Sequence, residues 1–370
     1  MKKPIKLNKK TVLCAVLALL VIAGAVVYAF LPHSLSYDIK GIEAVGSDLE
    51  ILEETEDSVT VVKKGGGDVK ILLFTDMHLD GKNSTSKLTV SHLVENIQRE
   101  KPDLVLLGGD NVTSAFNRRR AQQLGEIFEK LGVYWAGVLG NHEGDNAFSI
   151  SRGDMVDIFS SYDHCLMRKG LSTATGDCNY ALNIENPDGT LMQTFFFFDT
   201  FDMMSDGRKA EYGFSKSDKV TDGVRKDQVS WYETKLGEVK TKYGGCKSIV
   251  VLHIPLPQYK TALEEGLKPI TGVNLENPCV SGVDTGLFDA IKKGGSTTAV
   301  FCGHDHMNNY RLIYQDILLC YIESSGYGSY HTGNKLGYAE KDWLQGYTRL
   351  TVHENGAYDI LNVRNSEGME

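Results

Sequence analysis

The chain has 370 residues, 42% of them apolar and 24% charged, which excludes both a stapled mini-protein and a largely disordered chain. A formal net charge of −9 excludes a nucleic-acid-coating role, which calls for a basic surface. The charge is uneven: the first ten residues hold five lysines (Lys2, Lys3, Lys6, Lys9, Lys10) and no acid, leaving 34 basic against 48 acidic residues in the rest.

Residues 1–10 read as a basic cytoplasmic tail, and residues 11–31 as a transmembrane signal-anchor. Val12 to Leu31 is an almost unbroken apolar run; as a helix it rises about 30 Å, the thickness of a hydrocarbon core. Lysines ahead of such a run place the N-terminus in the cytoplasm. The competing reading is a cleaved signal, with Val27-Tyr28-Ala29 as the small-residue cleavage site. The chain is thus expected to be a single-pass cell-membrane protein with its bulk outside the cytoplasm, or a secreted one.

Residues 32–66 read as a stem leading into a hairpin that ends at Gly65-Gly66-Gly67. A main domain over 67–365 follows. Its apolar runs at 71–74, 104–107, 133–139, 249–252 and 298–302 read as strands. Between the first pair, Leu93, Val94 and Ile97 share a helical face; between the second, Leu124, Ile127, Phe128 and Leu131 share another. Strands alternating with helices predict parallel pairing in an α/β fold. Further strands are expected at 193–199, 316–323, 347–353 and 357–363, the last two joined by a turn at Glu354-Asn355-Gly356. The end of the chain is therefore sheet without intervening helix, and a mixed β core flanked by helices is expected. Of the cysteines, Cys302 and Cys320 read as core residues, and Cys165 and Cys178 as a pair able to bridge in an exported domain.

Each of the five leading runs is followed at once by His, Asp or Asn: Asp76 and His78, then Asp110, then Asn141 and His142, then His253, then His304 and His306. Sites in open α/β sheets form beyond the carboxyl ends of strands, so five such clusters can converge on one crevice. Imidazole and carboxylate suit first-row divalent metals such as Zn, Mn or Fe, and the set contains no thiolate. In an extended chain, residues two apart face one side, so Asp76/His78 and His304/His306 are each expected to aim two donors at one pocket while Asp305 points away. The donors exceed what one four-coordinate ion takes and suit two ions sharing a carboxylate, the arrangement that hydrolyses phosphate esters by in-line attack of a bridging hydroxide.

The stretches FTDMH (74–78), GGDNVT (108–113), VLGNHE (138–143), VVLHIP (250–255) and FCGHDH (301–306) resemble the calcineurin-like metallophosphoesterase superfamily. Within it, KPDLVLLGGDN (101–111) and VLHIPLPQY (251–259) look most like the branch related to purple acid phosphatases and their plant and fungal relatives. The resemblance implies a four-layered αββα sandwich, two mixed β-sheets flanked by helices, here preceded by the N-terminal transmembrane helix. It implies that Asp76, His78 and His306 hold one metal, that Asp110 bridges, and that Asn141, His253 and His304 hold the second. Asn141 and His142 would bind substrate, and His142 would be the general acid, with Glu143 in support.

Two departures matter. Purple enzymes have a tyrosine ligand three residues after the bridging Asp, and many other members have a second Asp there that orients the catalytic His; this chain has Thr113. Where the purple enzymes have Gly it has His78. No tyrosinate–iron colour is expected, and the partner that orients His142 is left open. Arg118-Arg119-Arg120 either reach an anionic substrate or form a solvated helix start, and Tyr327 and Tyr330, in a glycine-rich loop, either line the pocket mouth or pack as loop residues. The expected activity is that of a phosphomonoesterase on a phosphorylated small-molecule or surface substrate. The alternatives are a phosphodiesterase for nucleotides, lipid headgroups or envelope polymers, and a catalytically silent surface-binding protein. Nothing in the sequence specifies an oligomeric state.

Overall fold

The computed structural model describes residues 8–30, 37, 39–80, 83–113, 117–145, 148–339 and 343–368. Residues 1–7 of the basic tail, Leu31 and the first part of the expected stem, 32–36, lie outside them. The helix α1 covers Lys9–Phe30. Its described side chains from Val12 to Gly24 are all exposed, Val21 at 70%. The side chains of Thr11 and of 25–30 lie outside the described residues, and among those described no helix is long and apolar enough to cross a membrane.

The domain begins with a hairpin, β1 (Leu49–Glu54) and β2 (Ser58–Lys63). Then come β3 (Val69–Phe74), α2 (Asn83–Glu100), β4 (Leu104–Leu107), α3 (Asn117–Leu131), β5 (Tyr134–Gly137) and α4 (Arg152–Phe159). The middle of the chain forms β6 (Tyr180–Glu185), β7 (Leu191–Phe197), α5 (Asp206–Glu211), α6 (Lys226–Tyr243), β8 (Ser248–Val251), α7 (Pro257–Glu264), α8 (Leu287–Gly294) and β9 (Thr297–Cys302). It closes with β10 (Arg311–Tyr314), β11 (Ile317–Tyr321), α9 (Thr332–Leu336), β12 (Gly346–Val352) and β13 (Tyr358–Arg364).

Among the described residues these strands form two mixed sheets. One has eight strands in the order β1-β2-β6-β7-β8-β9-β11-β10, the other five in the order β13-β12-β3-β4-β5. The strands that matter for the site run parallel and end level with one another. Phe74, Leu107 and Gly137 pair across β3, β4 and β5; Phe197, Val251 and Phe301 pair across β7, β8 and β9.

The apolar runs are continuous because both faces of each sheet are covered. Phe195, Phe197, Ile249, Val251, Ala299 and Phe301 join the core that holds the five-stranded sheet together with α2 and α3. Their alternating neighbours Phe196, Phe198, Val250, Leu252, Val300 and Cys302 join a second core built with α6, α7 and α8. Period-two alternation thus splits each strand between two cores, with helices outside and sheets inside. On the helices, Leu93, Val94 and Ile97 of α2, and Leu124, Ile127, Phe128 and Leu131 of α3, are buried as the 3.6 period requires. The turn joining β12 to β13 has Gly356 at φ 73°, a left-handed position that glycine adopts without strain.

Three features differ from the sequence reading. The expected hairpin is present but is part of the main domain's sheet: β2 pairs parallel with β6 and forms the edge of the larger sheet with β1. β6 carries buried Asn183 and Glu185, which interrupt an apolar pattern; they are tolerated because Thr194 Oγ1 donates to Asn183 at 2.8 Å and Tyr243 Oη donates to Glu185. β10, a short edge strand, also escaped notice. Cys165 and Cys178 do not bridge: both are free, buried thiols. The Cys165 amide bonds to the Tyr162 carbonyl, while Cys178, at φ 78°, bonds to that of Lys169. Burial pushes the Cys165 thiol up to about 12, so it stays protonated and inert.

Candidate metal centre

The level strand ends bring their loops to one seam between the sheets. On the five-stranded side the loops after β3 and β4 run together: Asp76 N donates to Gly109 O at 3.0 Å and His78 N to Asp110 O at 2.8 Å. Hydrogen bonds also cross to the other sheet. His304 N donates to the Asp76 carboxylate at 3.1 Å, and His253 Nδ1 donates to Gly108 O at 2.8 Å.

The donors fall into two groups. Asp76, His78, Asp110 and His306 each offer an atom within 4.8 Å of the others, and so do Asp110, His253 and His304. Asp110 belongs to both. Asn141 joins the second group, its Oδ1 lying 3.1 Å from His253 Nε2. All seven sequence-derived ligand candidates are thus brought together. Their local conformation is not the extended chain expected from the i, i+2 spacing. Asp76, His78, Asp110 and His304 have φ of 55°, 44°, 51° and 80°. Such left-handed non-glycine residues are uncommon and collect at functional sites, where the surrounding structure holds them. Gly140 shows how tight this packing is: a Cβ there would lie 2.2 Å from Asp110 Oδ1.

Asp110 is buried and its Oδ2 has no hydrogen-bond partner. Facing it are His253 Nε2 at 3.2 Å and His78 Nε2 at 3.5 Å. His253 has committed its Nδ1–H to Gly108, and His306 its Nδ1–H to Tyr330 O at 2.8 Å, so both turn Nε2 lone pairs inward. The His78 and His306 Nε2 atoms are 3.0 Å apart. A pocket lined by carboxylate and imidazole lone pairs needs cations at its centre. This buried Asp/His cluster fits two divalent metal ions sharing Asp110.

The acid–base shifts report the same demand. Burial drives His78 down to about 4 and His304 down to about 3. Burial also works against charge on His253, but Asp110 and Asp76 outweigh it and push that ring up to about 10. Burial would raise Asp110, yet His253 and His78 hold it well below the carboxylate range.

His142 sits at the open side of the cluster, its ring 5.3 Å from that of His78. Its backbone N–H donates to Asp110 Oδ1 at 2.8 Å, and its Nδ1 faces Asp145 Oδ2. Burial lowers its pKa, but Asp110 and the Asp145 hydrogen bond more than offset this, and the net shift is upward. Asp145 is the orienting acid that Thr113 cannot be. Its signal was present: it lies three residues after His142, in reach across one helical turn.

Glu143 is fully buried and touches none of the reacting side. Its Oε1 accepts from Asn111 N at 2.6 Å and its Oε2 from Gly140 N at 2.8 Å, tying the loops after β4 and β5. Arg152, which the sequence reading missed, donates to Gly140 O and pairs with Asp199, a buried acid at the end of β7. No local pattern signals it, because its partner arrives from the other sheet. Asp305 points away as expected, accepting from Tyr321 Oη at 2.6 Å.

Of the weaker candidates, Arg118 and Arg119 are exposed at the start of α3, with Arg119 paired to Glu126 at 2.6 Å. Arg120 is instead buried, donating to Gln123 at 3.1 Å. Tyr327 is buried and stacks on His92, away from the mouth, whereas Tyr330 stacks on His306.

Residues 69–308 match the profile of the family described as calcineurin-like phosphoesterase. The chain is 29% identical over 311 residues to an Arabidopsis thaliana protein named probable inactive purple acid phosphatase 14, covering 74% of each. It is 26% identical over 299 residues to probable inactive purple acid phosphatase 28 of the same plant, covering 72% of this chain and 73% of that one. It is 24% identical over 323 residues to Phosphatase DCR2 of Saccharomyces cerevisiae, covering 76% of this chain and 50% of that protein. Among solved structures, a dimetal phosphatase from Danio rerio superposes with a TM-score of 0.46 at 15% identity, covering 77% of this chain and 93% of that one.

Replacing Glu143 by Gln turns an amide NH₂ toward backbone N–H donors. Glu143→Gln is expected to cost about 1–3 kcal/mol in urea unfolding and to lower metal content on elemental analysis, despite the matched shape.

Proposed function

The chain belongs to the calcineurin-like phosphoesterase family, and on that premise we propose that it is a two-metal phosphomonoesterase held at a membrane by α1. The observation that carries the reading is the pair of donor groups sharing Asp110. Asp76, His78 and His306 would hold one ion, Asn141, His253 and His304 the other, with Asp110 between. When bound, the ions supply Lewis-acid polarisation of the phosphoryl group and an activated water.

The chain's own residues do the rest. An asparagine that ligates through Oδ1 keeps two Nδ2–H donors, so Asn141 can also bind a phosphoryl oxygen. His142 stands beside the cluster with its backbone anchored on Asp110 and Nδ1 turned to Asp145. That leaves Nε2–H to contact the phosphate and protonate the departing oxygen. Arg152 and Glu143 hold Gly140 from both sides, which fixes where Asn141 and His142 begin. A monoester leaves more negative charge at the mouth than a diester, and a cationic His142 suits it.

The names of the plant relatives favour a second reading, a catalytically silent binding protein on the same fold. The complete donor set supports the active reading here. The placement at a membrane rests on the exposed apolar side chains of α1 from Val12 to Ile22 and on the lysines ahead of that run. It implies a cytoplasmic N-terminus and an extracytoplasmic domain.

Purified protein with Mn²⁺ or Zn²⁺ is expected to hydrolyse an aryl phosphate faster than an aryl diester and to lose this with chelator. Asp110→Ala should abolish turnover; undiminished activity in that variant would refute the site, and a parent rate equal to buffer would establish the silent reading. Asp145→Asn removes a negative charge that favours the imidazolium of His142, so its pKa falls. The alkaline limb of kcat/KM should move to lower pH. Alkaline extraction of host membranes should leave the full-length chain in the pellet; a mature terminus near Phe30 would reverse the anchor.

A further inference from the structure

His306 is held differently from the other donors. Its Nδ1–H goes to the Tyr330 carbonyl, and the Tyr330 ring lies flat on its own, centroids 4.1 Å apart and 7° from parallel. With one ring face taken, Lys335 Nζ, 3.7 Å from the Tyr330 centroid, occupies the other. Glu276 closes the outer side: it faces Tyr330 Oη at 3.2 Å, accepts from Met307 N at 2.7 Å and pairs with Lys335 at 3.5 Å. Gly326 and Gly328, earlier in the same loop, press on the backbone of Asp76 and His78, where a Cβ would come within 2.1 Å and 2.7 Å of their carbonyl oxygens. The loop after β11 therefore packs on Asp76, His78 and His306, three donors of one group.

We propose that Tyr330 is a positioning residue for the metal held by Asp76, His78 and His306, with Glu276 and Lys335 as its outer brace. The carbonyl fixes which nitrogen of His306 faces inward, and the stacked ring fixes the plane in which that lone pair points. An imidazole bound to a divalent cation is electron-poor, and an aromatic face attracts it more than it attracts the free ring. The stack therefore favours the loaded state beyond merely filling space. The inference rests on the two-metal reading.

Titration of Mn²⁺ into chelator-stripped full-length protein tests it. The parent chain should bind two ions. Tyr330→Leu should weaken one site by about 10–100-fold and leave the other unchanged. Tyr330→Phe, which keeps ring and carbonyl but loses the Oη contacts to Glu276 and His306 N, should retain most of the affinity lost in the Leu variant, and the visible spectrum of the Co²⁺ form should change chiefly in the Leu variant. Equal weakening by Phe and Leu, or parent affinity in the Leu variant, overturns the proposal. If Tyr330→Leu fails to fold, Glu276→Gln and Lys335→Leu carry the test: they should weaken the same site more mildly, and unchanged affinity in both overturns it. A parent chain that binds no metal overturns the two-metal reading and this inference together.

Discussion

A buried carboxylate faced by imidazoles from two sheets is the constraint around which this molecule is arranged. Asp110 lies buried at the seam of two sheets, one oxygen on the His142 amide and the other without a donor. Burying an unpaired carboxylate costs several kcal/mol. The chain directs imidazoles from both sheets, His78 and His253, at that second oxygen. Everything needed to do so is structural: parallel strands ending level, loops in left-handed conformations, and carbonyls that take up the outward-facing ring protons. The same geometry that leaves the carboxylate short of donors makes it a bridge for cations.

Much of this was legible in the residues. Each cluster follows an apolar run because strands buried on both faces are apolar throughout, and donors can appear only where the strand leaves the core. The parallel order followed from the intervening helices, whose inner faces are marked by Leu93, Ile97, Leu124 and Phe128. The donors do converge beyond the strand ends, but their local backbone differs from the expectation. Spacing by two suggested extended pairs, whereas Asp76, His78 and His304 turn left-handed. The donors meet because the backbones of two loops are hydrogen-bonded to each other, a relation between distant segments that no local pattern encodes.

What escaped the sequence reading shares one cause: the partner lies elsewhere in the chain or in an unfamiliar register. Arg152 means nothing without Asp199. β6 was hidden by Asn183 and Glu185, polar residues satisfied only once β7 and α6 are in place. Asp145 is the exception, since it is local to His142 and replaces in three residues what relatives of the superfamily place after the bridging Asp. An orienting charge need only reach Nδ1, and the fold offers more than one direction from which to do so.

The five-stranded sheet has a consequence in time as well as space. β12 pairs on β3, the strand that leads to Asp76 and His78, with Val69 opposite Val352. A ribosome delivers β3 long before β12, and in that interval β3 has a bare edge able to pair with the wrong strand. The loop that carries Tyr330 is made in the same late stretch. The sheet that carries Asp76 and His78, and the loop that covers His306, are thus completed only after all seven donors have been made.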